Sequence, residues 1–209
     1  MLIDNLFLEF MHGLQIAAGP IITPFFHFIT MLGEKGWFFI LASLILCLRK
    51  KTRWVGVTAI LAIFVGWVLA DIAIKPAIAR VRPYLSASNA FYQYWLAAGA
   101  FEETNYSMPS GHVLATSAFF FSLLLTMKRN YRKPIAITGA IFIVLMSFSR
   151  MYHMHHYFTD CLVAILLGLV MAFISRLIVK FIHRVCKAYE DVPFFYFILN
   201  FDILGSTNG

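Results

Sequence analysis

Ser149-Arg150-Met151-Tyr152-His153-Met154-His155-His156-Tyr157-Phe158-Thr159-Asp160 joins two apolar runs, residues 134–148 and 158–181, by a connection too short to cross anything. The runs must therefore be antiparallel neighbours, and the polar residues of the connection gather at one end of the pair. His156 and Asp160 are four apart. If a helix starts near His156, the two side chains lie on one face, about a turn from each other. The carboxylate can then accept the imidazole N–H, fix the tautomer and leave the other ring nitrogen free to attack. Arg150, permanently charged and fork-shaped, stands just upstream as an oxyanion binder. A histidine and an aspartate at this spacing are equally what a satisfied polar pair looks like, so the stretch needs support from elsewhere.

Working outward, apolar runs repeat along the chain. Residues 37–48, 54–74 and 113–127 (counted from Ser110) precede the two already named, and 54–74 has the ~20 residues that a membrane span requires. Of the 209 residues, 61% are hydrophobic and 13% charged, and the mean hydropathy is +0.79, which excludes an ordinary soluble globular domain. The expected fold is an all-α polytopic membrane bundle of five transmembrane helices, or six if the N-terminal segment also crosses. Within residues 1–31, Leu6, Phe7, Phe10, Met11 and Leu14 alternate with Asp4, Glu9, His12 and Gln15 at amphipathic helical spacing. Gly19-Pro20 is expected to break that helix. An N-terminal amphipathic helix lying in the membrane interface, followed by a short apolar entry segment, is preferred over a span carrying Glu9. The start lacks a basic region, so no cleavable signal peptide is expected. Cys47, Cys161 and Cys186 are odd in number and have no metal-ligand spacing; they read as small buried hydrophobes.

Two further polar stretches stand at the ends of these runs. Lys75-Pro76-Ala77-Ile78-Ala79-Arg80-Val81-Arg82-Pro83 closes one, and Pro109-Ser110-Gly111-His112 opens the next. Lys75 and Arg82 are seven apart, two helical turns, and share a face if the helix continues that far. Arg80 points away on that assumption and reads as an interfacial anchor. Ser110 is a good N-cap, Gly111 admits close backbone approach, and free N–H groups at such a helix start bind phosphate.

Taken together, K-x6-RP, PSGH and SR-x5-H-x3-D resemble the three-part signature of the type 2 phosphatidic acid phosphatase (PAP2) superfamily, in its order, with the resemblance covering residues 32–182. The resemblance implies that the histidine matching His156 attacks phosphorus and forms a phosphohistidine. It implies that the residue matching Asp160 holds that histidine, and that the one matching His112 protonates the leaving oxygen. It places phosphate on the positions of Lys75, Arg82, Ser110, Gly111 and Arg150. The domains expected are an N-terminal segment 1–31, a catalytic membrane domain 32–182 and a cytoplasmic tail 183–209.

Twelve of the 17 basic residues cluster at 49–53, 128–133 and 176–187, and such clusters mark cytoplasmic ends. The motif residues then share the opposite, extracytoplasmic side. The net charge of +7 is a topology signal with some attraction to anionic lipid, and no nucleic-acid partner is implied. The expected partners are a bilayer and a lipid phosphate or diphosphate, with undecaprenyl diphosphate and phosphatidylglycerophosphate leading by resemblance; oligomeric state is not legible. A phosphotransferase sharing the first half-reaction, and a transporter or scaffold with a degenerate site, are the alternatives.

Four neighbouring features carry expectations of their own. His153 and His155 tempt a metal reading, but no third ligand supports it and the positive surround opposes a cation, so no metal and no cofactor are expected. The two rings are expected to face the interface or the substrate. Asp71, one turn before Lys75, is expected to pair with it. Glu102 and Glu103 are expected to be solvated, and Phe91, Tyr92, Tyr94 and Trp95 to form an interfacial belt or a lid.

Overall fold

The computed structural model describes residues 2–86 and 89–205. Residue 1 of the expected N-terminal segment, residues 87–88 of the expected catalytic domain and residues 206–209 of the expected tail lie outside them. The described residues form helices and no strand. In chain order they are α1 (Leu2–Gly33), α2 (Trp37–Cys47), α3 (Arg53–Leu69), α4 (Lys75–Ile78), α5 (Asn89–Ala97), α6 (Gly111–Thr126), α7 (Arg129–Tyr152), α8 (Phe158–Ala188) and α9 (Pro193–Asn200).

Four helical stretches are long and apolar enough to cross a membrane: Leu2–Cys47, Arg53–Leu85, Arg129–Tyr152 and Phe158–Ala188. Gly111–Thr126 is a shorter apolar helix. It lies at the centre, packed against α3, α7 and α8, and Val113 to Phe120 are buried without a break. Apolar burial does not hold such helices together in lipid; close approach of small residues does. A Cβ at Gly168 of α8 would meet Ser117 Cβ of α6 at 2.7 Å and the Ala118 backbone nitrogen at 2.9 Å, so only glycine lets these two helices come so near.

The helical break expected at Gly19-Pro20 is present as a kink, where two helical segments meet within α1. Pro20 offers no N–H to the carbonyl of Ile16, and the bend is taken up at Ala18, whose backbone leaves helical values (φ −150, ψ 26). α1 packs on α7, with the Gln15 amide donating to the Tyr152 carbonyl (2.8 Å) and Thr23 Oγ1 2.5 Å from the Tyr152 hydroxyl. A short 3₁₀ turn, Glu34–Gly36, then leads directly into α2.

The end of α3 differs from the reading above. The helix does not carry Lys75 and Arg82 along one face. Pro76 lacks an N–H and crowds the carbonyl of Ile72, and the chain answers with a π-helical stretch, Ala70–Ile74. α4 stops at Ile78 with Ala79 in the left-handed region (φ 49). Arg82, restricted by the proline after it, is extended (φ −69, ψ 153). The interval between this stretch and α6 holds a 3₁₀ turn, Pro83–Leu85, and α5.

Candidate active site

Three motifs from separate parts of the chain meet at one end of the bundle, and backbone bonds stitch them together. The Ser107 N–H donates to the Arg80 carbonyl (2.9 Å), and the Ser110 N–H to the Asp160 carbonyl (3.4 Å). The His155 N–H donates to the Arg150 carbonyl (3.1 Å), folding the connection after α7 back on itself.

His156 is 1% exposed. Its Nδ1 lies 2.6 Å from the Ser107 carbonyl, which can only accept, so Nδ1 carries the proton and Nε2 presents a lone pair. Nε2 stands 3.3 Å from Arg82 Nη1. Asp160 Oδ2 is 3.6 Å from Nδ1, within electrostatic reach but farther than the Ser107 carbonyl. The shorter bonds of Asp160 go to Arg80 (2.5 Å) and to the Tyr157 N–H (2.9 Å), the latter capping α8. Burial, reinforced by Arg82 and Arg150, pushes the His156 imidazole down to about 4, so the ring is neutral at pH 7.

Arg82 is 1% exposed and thoroughly held. Its Nε donates to the Asn105 carbonyl (2.8 Å), Nη1 to the His155 carbonyl (3.0 Å) and Nη2 to the Asn105 side chain (2.5 Å). Arg150 is equally buried. Its Nε and the Ser110 hydroxyl are buried polar atoms without a protein partner among the described residues. Lys75 is buried with its ammonium 2.7 Å from Asp71, as the spacing suggested. No contact among the described residues ties Lys75 to Arg82, Arg150 or His156. His112 sits in the first turn of α6, half-buried, and Gly111 begins that helix. A Cβ at Gly33 would come within 2.9 Å of the His112 ring and 2.6 Å of Met146 Cε, so the end of α1 makes room for that histidine.

Two expectations are corrected here. Arg80 is no lipid anchor: it bridges Asp160 (2.5 Å) and Asp4 (2.7 Å) because α4 ends early and the left-handed turn at Ala79 redirects the chain. Glu103 is not solvated. Its carboxylate spans Arg82 (2.6 Å) and Arg150. Burial alone would raise the Glu103 carboxyl; Arg150, His156 and Arg82 outweigh it and hold the group far below the usual carboxylate range. His153 and His155 are each 2% exposed and spend one ring N–H on a carbonyl, of Ser149 (2.7 Å) and Phe101 (2.6 Å) respectively, and the other ring nitrogen of His155 lies 3.9 Å from Glu103. Burial pushes both imidazoles down, that of His153 to about 4, and leaves them neutral. Of the aromatic cluster, Phe91 and Trp95 point inward, Trp95 stacking on Tyr84 at 4.7 Å, while Tyr92 is exposed.

Asp4, Arg80, Glu103, Ser107 and Gly33 were all missed as site residues. For Glu103 a signal existed: with Lys75 expected on Asp71, Arg82 and Arg150 had only Asp160 as a counter-charge, and the interval between two motifs carried two acids. Arg82-Pro83 likewise announced an extended backbone.

Comparisons with known proteins bear on the family and the fold. The model of the PAP2 superfamily matches residues 51–184. An undecaprenyl-diphosphatase from Sulfolobus acidocaldarius is 34% identical over 131 residues, 63% of this chain and 58% of that protein, so the chain spans little more than half of the relative's length. Two solved structures share the fold. One is a transmembrane PAP2-type phosphatidylglycerolphosphate phosphatase from Bacillus subtilis, with TM-score 0.57, 22% identity, and 80% of this chain and 83% of that one covered. The other is LpxE from Aquifex aeolicus, with TM-score 0.61, 23% identity, and 80% and 93% covered. With its three motifs folded into one buried cluster and the family model spanning most of that cluster's scaffold, the chain belongs to the PAP2 superfamily.

Proposed function

We propose that this protein is a membrane phosphatase that hydrolyses a phosphomonoester or a diphosphate carried by a lipid. The observation that carries the reading is the neutral, buried His156, with its lone-pair nitrogen 3.3 Å from Arg82 and its N–H fixed on the Ser107 carbonyl. A nucleophile so held beside a buried guanidinium suits an electrophile bearing negative charge.

In this mechanism Arg82, Arg150, the Ser110 hydroxyl and the first N–H groups of α6 receive the phosphoryl oxygens, with Lys75 as a more distant cation. His156 Nε2 attacks phosphorus while the bond to the leaving oxygen breaks, and His112 supplies the proton that oxygen needs. Asp160 stabilises the positive charge that develops on the His156 ring. Water then attacks the phosphohistidine, gives its proton to His112 and frees inorganic phosphate with His156 restored. Residues 32–182 form the catalytic domain. The site lies at the extracytoplasmic face, opposite the basic clusters at 49–53, 128–133 and 176–187.

The names of the relatives make undecaprenyl diphosphate and phosphatidylglycerophosphate the first lipids to try. Phosphate release over a panel of purified lipid phosphates and diphosphates, with and without EDTA, tests the reading. Release that persists in EDTA and leaves labelled phosphate on the wild-type chain, but not on His156→Ala, is expected. No release from any phosphate ester or anhydride would end it.

A further inference from the structure

Glu103 occupies the position that a phosphoryl group would need. Its two carboxylate oxygens reach the two buried guanidinium groups, one to Arg82 Nη2 at 2.6 Å and the other to Arg150. The remaining donors of Arg82 are committed to Asn105, His155 and His156, so its approach to an incoming anion is the one Glu103 now takes. Unlike the arginines, Glu103 has somewhere to go. Its side chain is 27% exposed, and it belongs to a non-helical run between α5 and α6 that turns at Gly99 (φ 106) and Ala100 (φ 55). One side chain pins the backbone of residue 103: the Tyr84 hydroxyl donates to its carbonyl (3.0 Å) and accepts its N–H (3.1 Å).

We infer that Glu103 is a resident counter-ion that sets which headgroups may enter, yielding to a phosphomonoester or terminal diphosphate and excluding phosphodiesters. This rests on the phosphatase reading above. The chemistry of selection is charge and oxygen count. A carboxylate brings one negative charge and two oxygens to the guanidinium pair. A phosphodiester brings the same, and so gains nothing by displacing it. A phosphomonoester brings close to two charges and three terminal oxygens, and can satisfy both guanidinium groups, the unpartnered Arg150 Nε and the Ser110 hydroxyl together. Two buried arginines beside a bilayer would otherwise be blocked by the phosphodiester headgroups of ordinary lipids. Glu103 thus acts on specificity through the cations, without touching the reacting atoms.

The test uses the full chain in detergent micelles as wild type, Glu103→Gln and Tyr84→Phe. Binding of inorganic phosphate is measured by calorimetric titration, and phosphatidylglycerol in mixed micelles is tried as an inhibitor of p-nitrophenyl phosphate hydrolysis. Glu103→Gln should bind phosphate about tenfold more tightly, the scale of one charge-assisted contact released. It should also become competitively inhibited by phosphatidylglycerol, which the wild type resists. Tyr84→Phe keeps the ring stacked on Trp95 and loosens only the backbone of residue 103, so it should shift both readouts the same way by a smaller factor; it also decides the matter if Glu103→Gln does not fold. Unchanged or weaker phosphate binding with unchanged phosphatidylglycerol resistance would overturn the inference and make Glu103 a prop for the arginines. Absence of hydrolysis by the wild type would overturn the phosphatase reading instead, while the phosphate titration still reports on Glu103.

Discussion

Arg80 and Asp160 meet at 2.5 Å, and the same guanidinium holds Asp4 at 2.7 Å, so one side chain fastens the N-terminal helix to the carboxylate beside His156. Asp4 also accepts the Thr159 N–H (2.9 Å), which leaves α1 anchored to the first turn of α8 twice over. Removing one partner of a fully buried pair costs about 3–5 kcal/mol. Arg80 keeps 23% exposure, so Arg80→Gln should cost somewhat less, about 2 kcal/mol on that scale. Freeing Asp160 should also let His156 drift, and small misplacements of a reacting group cost up to about 100-fold in rate. A double-mutant cycle with Asp4→Asn, read by thermal unfolding in detergent, should show coupling of about 1 kcal/mol or more. Additive effects would return Arg80 to the status of a lipid anchor.

The acid limb of the pH profile should report His156. Its imidazole is held down to about 4 by burial first and by Arg82 second, and attack needs the neutral ring. On the nitrophenyl ester, whose departure hardly needs the His112 proton, the rate should therefore fall as pH drops through about 4. Arg82→Met removes one depressing charge, so the limb should move upward, toward the ordinary imidazole range. Stability follows from the same difference. An unfolded histidine binds its proton near pH 6.5 while the folded one stays neutral to about 4, so the unfolded state takes up more protons between these values. The contribution is whole above about 6.5 and is lost as pH falls toward 4. A thermal midpoint indifferent to pH across that window would contradict the buried, neutral ring.

The bundle and the motif residues were legible because both are periodic or local signals. Apolar runs give spans, and His156 and Asp160 announce each other by spacing. What stayed hidden depended on where helices stop. Pro76 was visible, but the π-helical stretch before it and the left-handed Ala79 after it were not, and those two features decide that Arg80 faces inward. Asp4 was hidden for a different reason. An acid buried against a guanidinium some 76 residues away has no pattern in its own neighbourhood. The Ser107 carbonyl, which takes the His156 proton at 2.6 Å, is a backbone atom and is invisible to any reading of side-chain types.

Arg53 was counted only as one of the basic residues that orient the chain, yet it is 3% exposed and clasps the C-terminal segment. It donates to the carbonyls of Ile198 (2.6 Å), Cys47 (3.3 Å) and Phe201, and its guanidinium lies 3.6 Å from the centroid of the Phe201 ring. Arg53→Met should release α9 from the α2–α3 connection. Limited proteolysis around Val192 should speed up, and the thermal midpoint should fall. Hydrolysis of a soluble ester should stay within about twofold, as expected for a change remote from the site. Unaltered proteolysis would mean that α9 is held by its apolar contacts alone.

The roles of the two histidines separate by leaving group. If His156 is the nucleophile, His156→Ala should abolish turnover and any phosphoenzyme on every substrate. If His112 is the general acid, its removal should hurt in proportion to the basicity of the oxygen that departs. A lipid alkoxide needs a proton and p-nitrophenolate hardly does, so His112→Ala should lose about 10²–10⁴-fold on a lipid monoester and far less on the nitrophenyl ester. Gly33→Ala gives a subtler version of the same experiment. The added methyl would sit 2.6 Å from Met146 Cε and 2.9 Å from the His112 ring, and the flexible methionine can swing aside more easily than an imidazole at a helix start. The variant should therefore fold with little loss of stability, yet show a leaving-group-dependent defect of the same sign as His112→Ala and smaller in size. Equal losses on both esters for His112→Ala, or phosphate trapped on the chain in His156→Ala, would reverse the assignment of acid and nucleophile.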